Sequence, residues 1–189
     1  MTGQDELRED SGRLEQAFFA GENADLLHEL RVRTDEERRR ELLREVVAIQ
    51  DQKFLDRLDT LGVRPETALA VAIVPLIFVA WADGELDERE RKALLDALQH
   101  RGVAPGEIPH RLLSNGLERK PDPRLLSAWK AYVRRLWGCF TVDERWQMRQ
   151  NLLRSAREVA QASGGFLGLT SKISEAEQKI LQEIEEVLD

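Results

Sequence analysis

Residues Ala68–Ala82 read ALAVAIVPLIFVAWA, 15 consecutive residues without a charge. A bilayer-spanning helix needs about 20 apolar residues, and Pro75 in the middle of this run removes one backbone donor. The stretch is therefore expected to be a buried central helix of a soluble domain, kinked or interrupted at Pro75. It runs directly into Ala80–Glu90, AWADGELDERE, where small and acidic turn residues lead to Leu86, Asp87 and, three positions later, Glu90. A capping residue followed three positions on by glutamate marks a helix start whose end groups satisfy each other. The same order recurs near the end of the chain as AQASGG at 160–165, followed by Ile173, Ser174 and Glu177. Two such entries predict a duplicated helix-turn-helix unit.

Working outward, the remaining punctuation is also helical. A first helix is expected from Glu6 to Ala20, closed by Gly21, and a short second one after Asn23. Thr34 and Glu37 form a capping box opening a long helix to about Thr60, with Leu42, Val46, Ile49, Leu55 and Leu58 inward. Gly62 stops it, and Asp87 caps a helix carrying Leu94, Leu95 and Leu98, which ends at Gly102. A short helix is expected at Ile108–Ser114. Another begins at Asp122-Pro123, with Trp129, Tyr132, Val133, Leu136, Trp137 and Phe140 at spacings of three and four. Thr141 and Glu144 form a further box, opening a helix with Trp146, Leu152, Leu153, Ala156, Val159 and Ala160 as its apolar positions. The expected fold class is all-α, a compact helical bundle with two related helix-turn-helix halves.

Composition narrows the function classes. The 189 residues suit one domain with a sizeable core. The 28 basic and 35 acidic residues give a net charge of −7, which repels nucleic acid and anionic membrane. The basic stretch from Arg119 to Arg135 holds Arg119, Lys120, Arg124, Lys130, Arg134 and Arg135 against one acid, Asp122. It is the alternative route to an anionic ligand or nucleic acid. Its aromatics follow the core stripe instead of interleaving with the bases, which makes nucleic acid an unfavoured partner. Cys139 is the single cysteine, so an internal disulfide is excluded, and with no leader segment a reducing cytoplasm is expected. His28, His100 and His110 are scattered without ligand spacing.

The remaining chemistry lies in the acidic turn. Asp83, Glu85, Asp87 and Glu90 alternate around Gly84, and the eight residues 83–90 contain five acids and one base. Hard divalent cations, calcium or magnesium, prefer such oxygen ligands. The turn is shorter than the twelve-residue calcium loop, and Asp87 with Glu90 has a complete structural explanation as a reciprocal cap, which is the favoured reading. Both readings stand at this level. A metal-dependent enzyme using these four carboxylates is a further alternative, but it needs a general base and an open metal position that no motif supplies. In the second turn Ser163, Gly164 and Gly165 offer flexibility and a hydroxyl but no carboxylate.

The segments AWADGELDERERKALL and ASGGFLGLTSKISEAEQKIL resemble the two signatures of the tellurite-resistance protein B (TerB)-like domains. The resemblance covers roughly 35–188. It implies a helical N-terminal extension, residues 1–33, packed on a TerB-like all-helical domain of residues 34–189. Asp83, Gly84, Asp87 and Glu90 match the first acidic motif, and Ser174 with Glu177 matches the second helix entry. An aspartate corresponding to Asp83 is missing at 163–165. The family has a suspected metal-related role, so the resemblance implies a non-enzymatic, stress-associated module that responds to divalent cations or meets a protein partner. The sequence leaves the oligomeric state open.

Overall fold

A computed structural model describes residues 3–32, 41, 43–44, 51–100, 103–164 and 173–189. Among these the regular structure is entirely helical: α1 (Gly3–Phe18), α2 (Ala24–Val32), α3 (Gln52–Thr60), α4 (Pro65–Ala80), α5 (Glu88–His100), α6 (Ile108–Gly116), α7 (Pro123–Gly138), α8 (Val142–Gly164) and α9 (Glu175–Leu188). The all-α bundle expected from the sequence is present. Helix α8 packs against both α5 and α9, and the second turn, expected between α8 and α9, lies largely outside the described residues.

Helix α4 is the centre. Every residue from Pro65 to Ala80 except Ala72 is buried, and the helix packs against α1, α2, α6, α7, α8 and α9. It is apolar on all sides because it has neighbours on all sides. Among the described residues no single helix is long and apolar enough to cross a membrane.

Pro75 does not interrupt α4, which continues through it to Ala80. A proline leaves the carbonyl four residues earlier without its intrahelical donor, and here that carbonyl belongs to Val71. The indole Nε1–H of Trp129 on α7 donates to the Val71 oxygen at 3.0 Å, in a buried site. The vacancy left by Pro75 is thus filled from another helix. Trp81 and Trp137 make similar ties, donating to the carbonyls of Gly116 at 3.2 Å and Leu188 at 2.9 Å. At Gly116 the helices come so close that a Cβ would stand 2.2 Å from Ile77 Cδ1, so any larger residue would have to displace the buried Ile77 side chain.

The long helix expected from Thr34 to Thr60 is corrected at Asp51. This residue is extended, and its carboxylate accepts from the Lys53 amide, capping a new helix, α3. The Thr34 and Glu37 box and the apolar positions Leu42, Val46 and Ile49 lie outside the described residues. Gly62, with φ of +73°, ends α3. The amide of Gly62 bonds to the Asp59 carbonyl and that of Val63 to the Leu58 carbonyl, the two crossed bonds of a Schellman ending.

Residues 3–32 share the core. Leu7, Leu14, Phe18, Leu26 and Leu30 are buried with the side chains of α4 and α7. A charged junction accompanies them. Glu15 of α1, 3% exposed, receives both the Arg64 guanidinium at 2.9 Å and that of Arg31 at 3.2 Å. The Ser11 hydroxyl at 3.1 Å and the Thr67 hydroxyl at 2.5 Å also donate to it. Glu66 lies 3.6 Å from Arg31. Burial, and then the charge of Glu15, push the Tyr132 hydroxyl above its ordinary range, so it stays protonated.

Trp129→Phe should cost about 1–3 kcal/mol, because it leaves a buried carbonyl without a donor. In a Pro75→Ala background, where the residue 75 amide can bond Val71, the same change should cost distinctly less. Chemical denaturation of the four proteins measures the coupling. Additive effects would show that the indole does not serve the proline vacancy.

Candidate functional site

The acidic turn is built by the end of α4 and the start of α5. Trp81 caps α4, Gly84 takes a φ of +92° that suits glycine, and its amide bonds back to the Trp81 carbonyl at 3.0 Å. The Asp83 carboxylate accepts from the Glu85 amide at 3.2 Å. Asp87 Oδ1 accepts from the Glu90 amide at 2.8 Å, and Glu90 Oε2 accepts from the Asp87 amide at 3.0 Å. This is the reciprocal capping box that the spacing predicts. Asp83, Glu85 and Asp87 are exposed and Glu90 is half-buried.

The turn also rests on the chain after α6. Trp81 reaches the Gly116 carbonyl, Arg91 of α5 pairs with Glu118 at 3.4 Å, and a Cβ on Gly84 would stand 3.3 Å from the Lys120 ammonium. A lysine from the basic stretch therefore lies against the most acidic segment. Three of the turn's four candidate carboxylates already accept backbone amides. Among the described residues no three His, Cys, Asp or Glu side chains are placed to hold a metal ion.

The second entry has the same cap without the acids. The Ser174 and Glu177 box is closed, with Ser174 N–H donating to Glu177 Oε2 at 2.7 Å and Glu177 N–H to Ser174 Oγ at 3.2 Å. Thr141 and Glu144 cap α8 in the same way, at 2.7 and 3.3 Å. Ser163 and Gly164 belong to the last turn of α8 and not to a loop. Gly165 lies outside the described residues.

The basic stretch of α7 and its approach is largely paired. Lys130 meets Glu183 at 2.7 Å, Arg135 meets Glu6 and Asp10, and Arg124 meets Asp122. The Arg124 guanidinium, and then its backbone amide, hold the Asp122 carboxyl at about 2. Cys139 is half-buried at the C-cap of α7, its thiol 3.6 Å from the Arg135 carbonyl.

A different surface stands out that the spacing did not reveal. Trp146, grouped by sequence with the apolar positions of α8, is 64% exposed, and Val142 one turn earlier is 80% exposed. They are the two exposed large hydrophobics among the described residues. The row through Leu152 and Ala156 is continued towards the N-terminus by buried Met148, four positions back, and Trp146 at six positions back lies off that row. Of the four tryptophans, Trp81, Trp129 and Trp137 donate to carbonyls inside the protein and Trp146 faces solvent.

Compared with family models, curated proteins and solved structures, the chain matches none. The TerB-like resemblance therefore rests on the two motifs alone.

Asp87→Ala should destabilise α5 by about 0.5–2 kcal/mol through loss of its cap, while Asp87→Asn, which can still accept from the Glu90 amide, should stay near the wild type. Denaturation in the presence of a chelator reads both, and equal losses would mean that charge matters here and not the cap. The Asp122 cap should act fully above the ordinary carboxyl value of 3.8 and fade as pH falls through about 2. Titration of its side-chain carboxyl by NMR tests this; an ordinary midpoint would contradict the Arg124 contact.

Proposed function

We propose that this chain is a non-enzymatic helical module that meets a protein partner through the Val142 and Trp146 face of α8. One observation carries the proposal: the first turns of α8 present a tryptophan and a valine, 64% and 80% exposed, on one side of a capped helix. Residues four apart on a helix are surface neighbours. Tryptophan is among the side chains that contribute most to protein interfaces, since it gains a large buried area at little entropic cost. Leaving such a pair in water wastes burial energy that the rest of the core collects, which fits a surface completed by another molecule.

The TerB-like resemblance supports a second part of the proposal, a cytoplasmic, stress-associated role in which the acidic turn responds to calcium or magnesium. The exposed carboxylates of Asp83, Glu85 and Asp87 on one short turn favour it. Asp83, Asp87 and Glu90 also accept backbone amides of the turn, so a bound ion would share carboxylates that the helix start uses.

Trp146→Ala should leave stability within about 0.5 kcal/mol, because the side chain is largely outside the core, yet abolish capture of the partner from an extract of the native cell. A partner retained by Trp146→Ala would overturn the interaction reading. Calcium or magnesium should raise Tm by linkage, and Asp83→Asn with Glu90→Gln should remove the increment. An equal rise in the variant, reproduced by monovalent salt at matched ionic strength, would reduce the effect to screening.

A further inference from the structure

The charges around the exposed pair indicate what kind of partner it fits. Asp143 sits between Val142 and Trp146 in sequence and three positions before Trp146, on the same strip of α8, and it is exposed. Gln150, one turn beyond Trp146, is exposed as well. The neighbouring charged groups are occupied. Glu144 accepts from the Thr141 amide, and Arg145 donates to the Phe140 carbonyl. Arg149 pairs with Glu185 at 2.7 Å and Asp189 at 2.9 Å, and Arg157 also reaches Glu185. Asp143 enters no ion pair among the described residues. As an acid in the first turn it balances the positive end of α8, but its carboxylate still faces water beside an indole and a valine.

Resting on the interaction reading above, we propose that the Val142, Asp143 and Trp146 strip receives a basic amphipathic helix of a protein partner. An apolar side chain of that helix covers Trp146 and Val142, and a lysine or arginine one turn away pairs with Asp143 and lies against the indole. The spacing matches on both sides, because residues three and four apart share a helix face. The overall charge of −7 assists the approach of such a segment. A second copy of this chain fits less well, because Val142 and Trp146 are the exposed large hydrophobics among the described residues, so the strip would have to meet itself about a two-fold axis and bring two chains of net charge −7 together.

The test is NMR of the full ¹⁵N-labelled chain titrated with two synthetic peptides. One carries leucine and lysine at helical spacing, and the other has glutamate in place of each lysine. The leucine and lysine peptide should shift amides centred on 142–150, and the glutamate peptide should leave them unmoved. Trp146→Ala should weaken the first peptide at least about tenfold. Asp143→Asn should weaken it about three- to fivefold and flatten its salt dependence. If both peptides bind at 142–150 and Asp143→Asn changes nothing, the strip remains an interaction surface and the basic partner is overturned. Shifts centred on the acidic turn would overturn the proposed location. If neither peptide moves 142–150, the basic-helix proposal falls, and retention of the native partner by Trp146→Ala would separately end the interaction reading. Concentration-dependent broadening of the free chain that Trp146→Ala removes would identify a second copy as the occupant and overturn the proposal.

Discussion

The architecture depends on a hydrogen bond that a proline makes necessary. Pro75 leaves the Val71 carbonyl in the middle of the most buried helix without a donor, and such a group in an apolar interior carries a large penalty. Trp129 supplies the missing donor from α7, at a separation of 58 residues along the chain. The indole also fills space against α4 and is fully buried. One side chain therefore sets how α7 lies across α4, and α7 in turn carries Trp137, whose own N–H fixes the end of α9. The tryptophans tie helices together through directional bonds where apolar contacts alone would permit sliding.

The same economy governs the acidic turn. Negative residues at a helix start are favourable because they face unpaired amides and the positive end of the helix. Asp83, Asp87 and Glu90 all accept backbone amides, so their sequence density is explained in part by local structure. What remains for function is the outward charge of the turn, moderated by Lys120 lying against Gly84. The α8 strip has the opposite character, an apolar pair whose exposure local structure does not account for. That contrast is why the interaction reading rests on α8 and the cation response on the turn.

Much of the fold was legible because its signals are local. Capping boxes at Asp87, Thr141 and Ser174 follow from three-residue spacings, and the run Ala68–Ala82 announces a central helix by composition. The break at Asp51 was hidden because the apolar period continues across it, while its cap is a single carboxylate that resembles any other acid in a charged helix. Trp146 was misplaced for a related reason. A large apolar residue near a helical stripe reads as core, and only the positions of neighbouring helices decide whether anything covers it. Trp129 bonding Val71 was likewise invisible, since spacing along a chain does not state which indole meets which carbonyl. The charges of the basic stretch were countable, but their partners Glu6, Asp10 and Glu183 lie far away in sequence.

The Glu15 junction has a consequence for how this chain can be inherited. A carboxylate 3% exposed on α1 draws its counter-charge from Arg64 at the start of α4 and from Arg31 on α2, while Arg135 of α7 reaches back to Glu6 and Asp10. Segments joined by apolar contact can be exchanged for others of similar volume, but a buried charge cannot lose its partner without leaving an uncompensated ion. A replacement of residues 3–32 that keeps a buried carboxylate at position 15 therefore also has to keep Arg64, and recombination that separated the two would leave that charge to Arg31 alone.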